Sequence, residues 1–190
     1  MTRLRALVER ELPGPPWPRI LDVGCGGGHD LRAWLEAGWS PERLAGVDLV
    51  PGRVQAAAER CPRVDVREGS GAALPYPDAS FDVATASTVL SSVLDAAIRK
   101  VILAEMRRVV RGGGLVVVYD FVIRNPRNRS VIAMPTSRLT EAAGMPPDGS
   151  ERLSPLVYLV AAGAAVHPTA ARLAWALGPR THRLTFWRVR

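Results

Sequence analysis

Sulfur and lysine are scarce in this chain. Its 190 residues include two cysteines, Cys25 and Cys61, and a single lysine, Lys100. Two thiols cannot build a disulfide scaffold. No basic-then-apolar leader with a small-residue cleavage site opens at Met1, so the expected location is cytoplasmic, where thiols stay reduced. Aromatic residues make up only 6% of the chain, and Ala, Val and Leu supply most of the 47% that is apolar. That is enough for one filled core, in a chain too short for two ordinary domains. A membrane span takes about 20 apolar residues. The strongest candidate, residues 153–166, is only 14 residues long and mostly apolar, with Pro155 near its start and His167-Pro168 after its end. Repeats, low-complexity tracts and linkers are also missing, and no cluster of residues suggests a metal site.

Acidic side chains are scarce in one half only. Residues 1–98 hold 13 acids and 10 Arg, for −3, whereas residues 99–190 hold 5 acids against 14 Arg and one Lys, for +10. A basic surface concentrates phosphates, nucleic acid or acidic headgroups without dictating a fold. Compositional drift is the alternative source, because 24 of the 25 cations are Arg.

What is present is an alternation of short apolar runs with helical patterns, the signature of βα units on a parallel sheet. Strands are expected at Ile20-Leu21-Asp22-Val23, Leu44-Ala45-Gly46-Val47-Asp48, Val64-Asp65-Val66, Phe81-Asp82-Val83-Ala84 and Leu115-Val116-Val117-Val118-Tyr119. The last is so uniformly apolar that it belongs at the centre, covered on both faces. Helices are expected over residues 2–11, 30–37, 51–60 and 95–111, with Pro51 in a first turn. In the fourth, Ile98, Val101, Ile102, Met106 and Val109 recur at three- and four-residue steps. Arg99, Lys100, Arg107 and Arg108 take its other faces, and Gly112-Gly113-Gly114 ends it. Beyond Asp120 we expect a polar loop over residues 124–129, short helices near 138–143 and 169–177, and a final strand in the alternating Leu184-Thr185-Phe186-Trp187-Arg188-Val189.

Chemistry concentrates in Ile20-Leu21-Asp22-Val23-Gly24-Cys25-Gly26-Gly27-Gly28-His29-Asp30. A strand running into glycines and then a helix lets a ligand approach the backbone, because glycine has no Cβ to exclude it. A dinucleotide fingerprint wants a small residue three positions after its second glycine, and counted from Gly26 that place is His29. Asp48, at the end of the second strand, is placed to accept hydrogen bonds from both hydroxyls of a ribose.

From about Arg19 to Tyr119 the sequence resembles the class I S-adenosylmethionine-dependent methyltransferases. Asp22-x-Gly24-x-Gly26-x-Gly28 looks like their glycine loop, and Gly46-Val47-Asp48-Leu49 like their ribose-binding acidic motif. Leu74-Pro75-Tyr76-Pro77-Asp78-Ala79-Ser80-Phe81-Asp82 looks like the approach to their fourth strand. Arg107-Arg108-Val109-Val110-Arg111-Gly112-Gly113-Gly114 looks like the turn before the fifth. The resemblance implies an α/β, Rossmann-like, doubly wound fold: a seven-stranded, mostly parallel sheet with an antiparallel last strand and helices on both faces. It implies one domain over residues 1–190, with a lead-in at 1–18, a cofactor-binding core at 19–120 and a substrate side at 121–190.

The same resemblance implies S-adenosylmethionine as cofactor and S-adenosylhomocysteine as product. Asp22 and the backbone through Gly24, Cys25, Gly26 and Gly28 would hold the methionine part, Asp48 the ribose, and Leu49 the adenine. Arg53, Ser87, Ser70, Gly71 and Ala72 complete the expected contacts. Where the family often has a Gly-Asp pair after its third strand, this chain has Glu68-Gly69-Ser70-Gly71-Ala72, so a neutral hydroxyl takes the place of an acid. A carboxylate-edged site suits a ligand that carries sulfonium and ammonium charges.

Methyl transfer is an in-line displacement that needs alignment and exclusion of water. A hydroxyl acceptor also benefits from a base. The candidates are His29, Tyr119 and Asp120, at the carboxyl ends of strands, ahead of His167 and His182 in the C-terminal part. Ser87-Thr88-Val89-Leu90 stands where nucleic-acid amino methyltransferases carry an Asn/Asp-Pro-Pro-aromatic motif, so a small-molecule or amphiphilic acceptor, anionic in one reading, is favoured over nucleic acid. An RNA methyltransferase and a non-catalytic cofactor-binding sensor are the alternatives. Only one helix precedes the first strand, so a lid is expected from residues 154–177, with Arg124, Arg127 and Arg129 at its mouth. Those residues could equally be core or a dimer face, and either a monomer or a homodimer, with peripheral membrane contact, fits the sequence.

Overall fold

The computed structural model describes residues 2–123, 130–155, 169 and 180–190. A helix α1 (Thr2–Glu11) leads into β1 (Ile20–Val23), α2 (His29–Glu36), β2 (Leu44–Asp48), α3 (Pro51–Arg60) and β3 (Asp65–Glu68). The chain then returns to the centre with β4 (Phe81–Ser87), α4 (Ala96–Val109) and β5 (Val110–Phe121). It finishes with α5 (Thr136–Ala143), β6 (Gly149–Pro155) and β7 (Arg180–Arg188). The seven strands form one sheet in the order β3-β2-β1-β4-β5-β7-β6. β1 to β5 pair in parallel, and β7 runs antiparallel to both β5 and β6. This is the doubly wound sheet with an antiparallel last strand that the sequence predicts.

Both faces of the sheet are covered, which is why β1, β2 and most of β5 are apolar at consecutive positions. On one face, Leu4, Leu7 and Val8 of α1, Leu31 and Trp34 of α2 and Ala57 of α3 pack against Ile20, Leu44, Leu115 and Val117. On the other, Ile102, Leu103 and Met106 of α4 and Leu139 and Ala142 of α5 pack against Leu21, Ala84, Val116 and Val118. No helix joins β3 to β4. Instead Leu74 and Tyr76 bury into the second core. Arg108 pins that segment, donating to the carbonyls of Leu74 and Tyr76 at 3.1 and 2.9 Å and to Asp78 at 2.7 Å. Among the described residues no helix is long and apolar enough to cross a membrane.

Three expectations are corrected. The fourth helix stops at Val109, and Gly112-Gly113-Gly114 lies inside β5. Register passes from Phe81↔Val110 to Val83↔Leu115, so β5 bulges around the glycines. On α4 it is Arg99 that is buried, its guanidinium donating to the carbonyls of Val93 and Leu94, while Ile98 and Val101 are exposed. The strand β6 has no sequence counterpart. Residues 156–168 and 170–179, with the expected apolar lid and His167, and Arg124, Arg127 and Arg129 lie outside the described residues.

Candidate functional site

The strand order reverses between β1 and β4, and a crevice opens there beyond the carboxyl ends of the strands, where ligands bind in open α/β sheets. It is a cavity of about 1280 Å³. Asp22, Gly24, Cys25, Gly26, His29, Asp48, Leu49, Arg53, Ser70, Gly71, Ser87 and Tyr119 all border it, so the structure brings together most of the residues singled out in the sequence.

Its near wall is the glycine loop. The amides of Gly24 and Cys25 both donate to Val47 O, at 2.7 and 3.0 Å, which ties the loop to β2. Gly24 has φ +73°, and a Cβ there would come within 2.5 Å of Val89 Cγ2, across the cavity's edge. Gly28 has a different task. It begins α2 with φ +76°, and a Cβ on it would lie 3.1 Å from Ala57, so its bareness sets how closely α2 and α3 pack. Gly28, Ala72 and Asp120 do not border the cavity. Arg60 at the end of α3 donates to the Gly27 carbonyl and fixes the loop from behind.

Asp48 closes the loop on its other side. One carboxylate oxygen accepts from the Gly26 amide at 2.9 Å and the other from the Val50 amide at 3.0 Å. Each oxygen keeps a second lone pair for a ligand. Asp22 is buried and accepts a hydrogen bond from Thr85 Oγ1 at 3.1 Å. Burial, aided by the charge of Asp30, pushes its carboxyl up to about 8. Burial and the neighbouring Asp22 push the Cys25 thiol up to about 12, so it is no nucleophile. Among the described residues none of Asp22, Asp30 and Asp48 has an ion-pair partner. Asp30 and Asp48 thus leave negative charge at the site, and a cation beside Asp22 would favour the ionised form of that carboxyl. Ser70 Oγ, in the place of the family's acid, accepts from the Ala72 amide at 3.1 Å.

The far end of the cavity lies over β5, β7 and β6. Leu4, Leu153 and Leu184 give it an apolar floor, and Arg3, Glu151 and Arg152 its rim. Arg3 and Leu4 belong to α1, so the N-terminal helix itself borders the space for which the sequence pointed to residues 154–177. Tyr119 stands between the two ends, its ring stacked on His182 with centroids 5.0 Å apart and planes 6° apart. Phe121 lies 4.3 Å from the same imidazole, whose pKa burial lowers, and His182 Nδ1 lies 3.0 Å from Thr181 Oγ1. By sequence alone His182 stands behind His29, Tyr119 and Asp120 as a candidate base. The antiparallel direction of β7 puts the start of that strand at the carboxyl ends of the others. Asp120 is buried, its carboxylate accepting from the Ser91 and Phe121 amides at 2.9 and 2.8 Å, which makes it an anchor for the turn after β4.

Residues 21–118 match the family described as Methyltransferase domain. Demethylmenaquinone methyltransferase of Renibacterium salmoninarum is 35% identical over 119 residues, 63% of this chain and 48% of that protein. Malonyl-[acyl-carrier protein] O-methyltransferase of Serratia marcescens is 37% identical over 103 residues, 53% of this chain and 37% of that protein. The chain therefore matches less than half the length of these curated relatives. Among solved structures, an S-adenosylmethionine-dependent methyltransferase from Mesorhizobium loti superposes with a TM-score of 0.67 at 20% identity, covering 98% of this chain and 96% of that one.

Proposed function

Since the chain belongs to the class I S-adenosylmethionine-dependent methyltransferases, we propose that it moves a methyl group from S-adenosylmethionine to a small-molecule or amphiphilic acceptor. The observation that carries this reading is the trio of acids Asp22, Asp30 and Asp48, none with an ion-pair partner among the described residues, beside the glycine loop and bordering a cavity with an apolar far end. That donor set fits a ligand with an ammonium group, a sulfonium and a ribose, and it would repel a phosphate. Asp22 would face the ammonium, the backbone of Gly24 to Gly27 the methionine carboxylate, Asp48 the ribose hydroxyls and Leu49 the adenine. When bound, the cofactor supplies an electrophilic methyl whose departure leaves a neutral thioether.

What remains for the protein is to align an acceptor atom with that methyl and to keep water out. We assign the first task to Tyr119, near the end of β5 and bordering the cavity. It is the predicted base that best fits a proton-accepting or proton-relaying role, with His182 stacked behind it and His29 at the cofactor end. The acceptors named for the two relatives, a demethylmenaquinone and a malonyl-[acyl-carrier protein], favour a small or carrier-linked acceptor over nucleic acid. The test is incubation of metabolite and lipid extracts with the protein and methyl-labelled cofactor, followed by mass spectrometry. Labelled product is expected in the small-molecule or lipid fraction. Calorimetric binding of S-adenosylhomocysteine with no label in any fraction would leave a cofactor-binding protein without turnover.

A further inference from the structure

The end of the cavity assigned to the adenine carries no acid of its own. Among the described residues four acids border the cavity: Asp22, Asp30 and Asp48 beside the glycine loop, and Glu151 on the far rim. Glu68, at the end of β3, is exposed and does not border it. Leu49 and Ile98 do, with 70% and 45% of their surfaces exposed, and so do Ser70, Gly71 and Ile102. Exposed apolar groups at a cavity's edge are ready to cover a flat ring, whose polar edge must then be met by something else. The side chain at hand is Ser70.

The backbone fixes where that side chain stands. Asp48 lies across from Glu68 in the β2–β3 register, and the Gly69 amide donates to the Asp48 carbonyl at 3.0 Å. The Ala73 amide donates to the Ser70 carbonyl at 3.0 Å, and a Cβ on Gly71 would lie 3.1 Å from Val23 Cγ1. Ser70 is thus held close to the residue assigned to the ribose. Its Oγ accepts from the Ala72 amide at 3.1 Å, which engages one of two lone pairs, and among the described residues nothing accepts the hydroxyl proton. The hydroxyl can therefore accept from a ligand or donate to one. An ionised carboxylate can only accept.

We propose that Ser70 sets the base selectivity of this chain, meeting the 6-position of the purine with a neutral group that takes either hydrogen-bonding role. The inference rests on the methyltransferase reading and deepens it. A hydrogen bond between neutral groups is weaker than one to a charge. An acid at position 70 would favour a 6-amino group strongly and repel a 6-oxygen, whereas the hydroxyl does neither. The chain therefore recognises its methyl donor chiefly through the ribose and the charged methionine part, and tolerates change at the 6-position of the base.

The experiment is calorimetric titration of the parent, Ser70→Asp and Ser70→Ala with S-adenosylhomocysteine and two analogues, one with hydrogen and one with oxygen in place of the 6-amino group. In the parent, the hydrogen analogue should bind no more than about fivefold less tightly than S-adenosylhomocysteine. Ser70→Asp can still accept from the Ala72 amide, since aspartate makes the same local turn. It should bind S-adenosylhomocysteine at least fivefold more tightly than the parent does, with the hydrogen analogue at least tenfold behind. The oxygen analogue should lose at least tenfold more in Ser70→Asp than in the parent, because a carboxylate facing a carbonyl has no proton to share. Ser70→Ala should bring S-adenosylhomocysteine and the hydrogen analogue within about twofold of each other. A larger penalty for the hydrogen analogue in the parent overturns the proposal, and that measurement decides the matter alone should Ser70→Asp fail to melt cooperatively. Ratios in a folded Ser70→Asp equal to those of the parent overturn it too. Absence of S-adenosylhomocysteine binding to the parent would instead overturn the methyltransferase reading beneath it.

Discussion

Gly24 and Asp48 divide the work of shaping the cofactor end, and each can be tested singly. At Gly24, a left-handed backbone and the side chain of Val89 leave no room for a Cβ. Gly24→Ala should lower stability by about 1–3 kcal/mol, through backbone strain and displacement of Val89. It should also weaken S-adenosylhomocysteine binding, since Val89 borders the cavity. Thermal melting and calorimetry read the two effects separately. Asp48 holds the loop through two amide hydrogen bonds while facing the cavity. Asp48→Asn keeps the volume but turns one acceptor into a donor, facing an amide with an amide. S-adenosylhomocysteine affinity should fall at least tenfold, in line with about 1.5–3 kcal/mol for hydrogen bonds to a charged group. Unaltered affinity in Asp48→Asn would remove the ribose role from this residue.

At the scale of elements, what the sequence discloses depends on whether local pattern or long-range pairing decides the structure. The βα units from Ile20 to Arg60 were legible because apolar runs, the glycine loop and Pro51 mark them locally, and α3 spans residues 51–60 as expected. The strand β6 was not legible. Its residues Ser150, Glu151 and Arg152 are exposed, and only pairing with β7 makes Gly149–Pro155 a strand. The glycine run read as a helix stop because three glycines usually end a helix, whereas here partners on β4 and β7 hold it as a bulge. Arg99 misled the choice of α4's buried face, since a long side chain can bury its stem while its head meets carbonyls. Within the site, the glycine loop and Asp48 were legible from spacing and Asp22 from the family resemblance, whereas Leu4, Leu153, Leu184 and Arg152 needed the tertiary fold, which packs α1 on the sheet and sets β6 beside β7. The segment after β3, which carries Ser70 and Gly71, lacks a helix and depends on Arg108 and Glu105 of α4, the latter accepting from the Leu74 amide at 2.8 Å. Arg108→Ala should therefore cost about 1–2 kcal/mol of stability and loosen cofactor binding severalfold without touching the cavity. Hydrogen exchange confined to residues 69–80 would display the loosened segment. A variant that melts and binds as the parent does would mean that the buried Leu74 and Tyr76 suffice to hold it.

The whole molecule couples folding to the charge state of the cavity. Asp22 is raised from 3.8 to about 8 by burial and by Asp30, so the native state keeps a proton that the unfolded chain releases well below neutrality. The native form thus binds more protons between about pH 4 and pH 8, and this group's contribution makes stability fall as pH rises through that window. Binding an ammonium-bearing ligand reverses the preference, because the ionised carboxylate is then the favoured form and a proton leaves on binding. Two measurements should move in opposite directions. The melting temperature of the free protein should decline from pH 5 to pH 8, while the increment produced by a fixed excess of S-adenosylhomocysteine should grow over the same range, as mass action requires of a ligand whose affinity rises with pH. Calorimetry in buffers of different ionisation enthalpy should register close to one proton released per ligand at pH 6 and little at pH 9. Asp22→Asn should flatten both slopes, since an amide at that position neither holds nor releases a proton. If the slopes persist in Asp22→Asn, the titrating group lies elsewhere in the fold, and the cavity's carboxylates are not the link between proton and ligand.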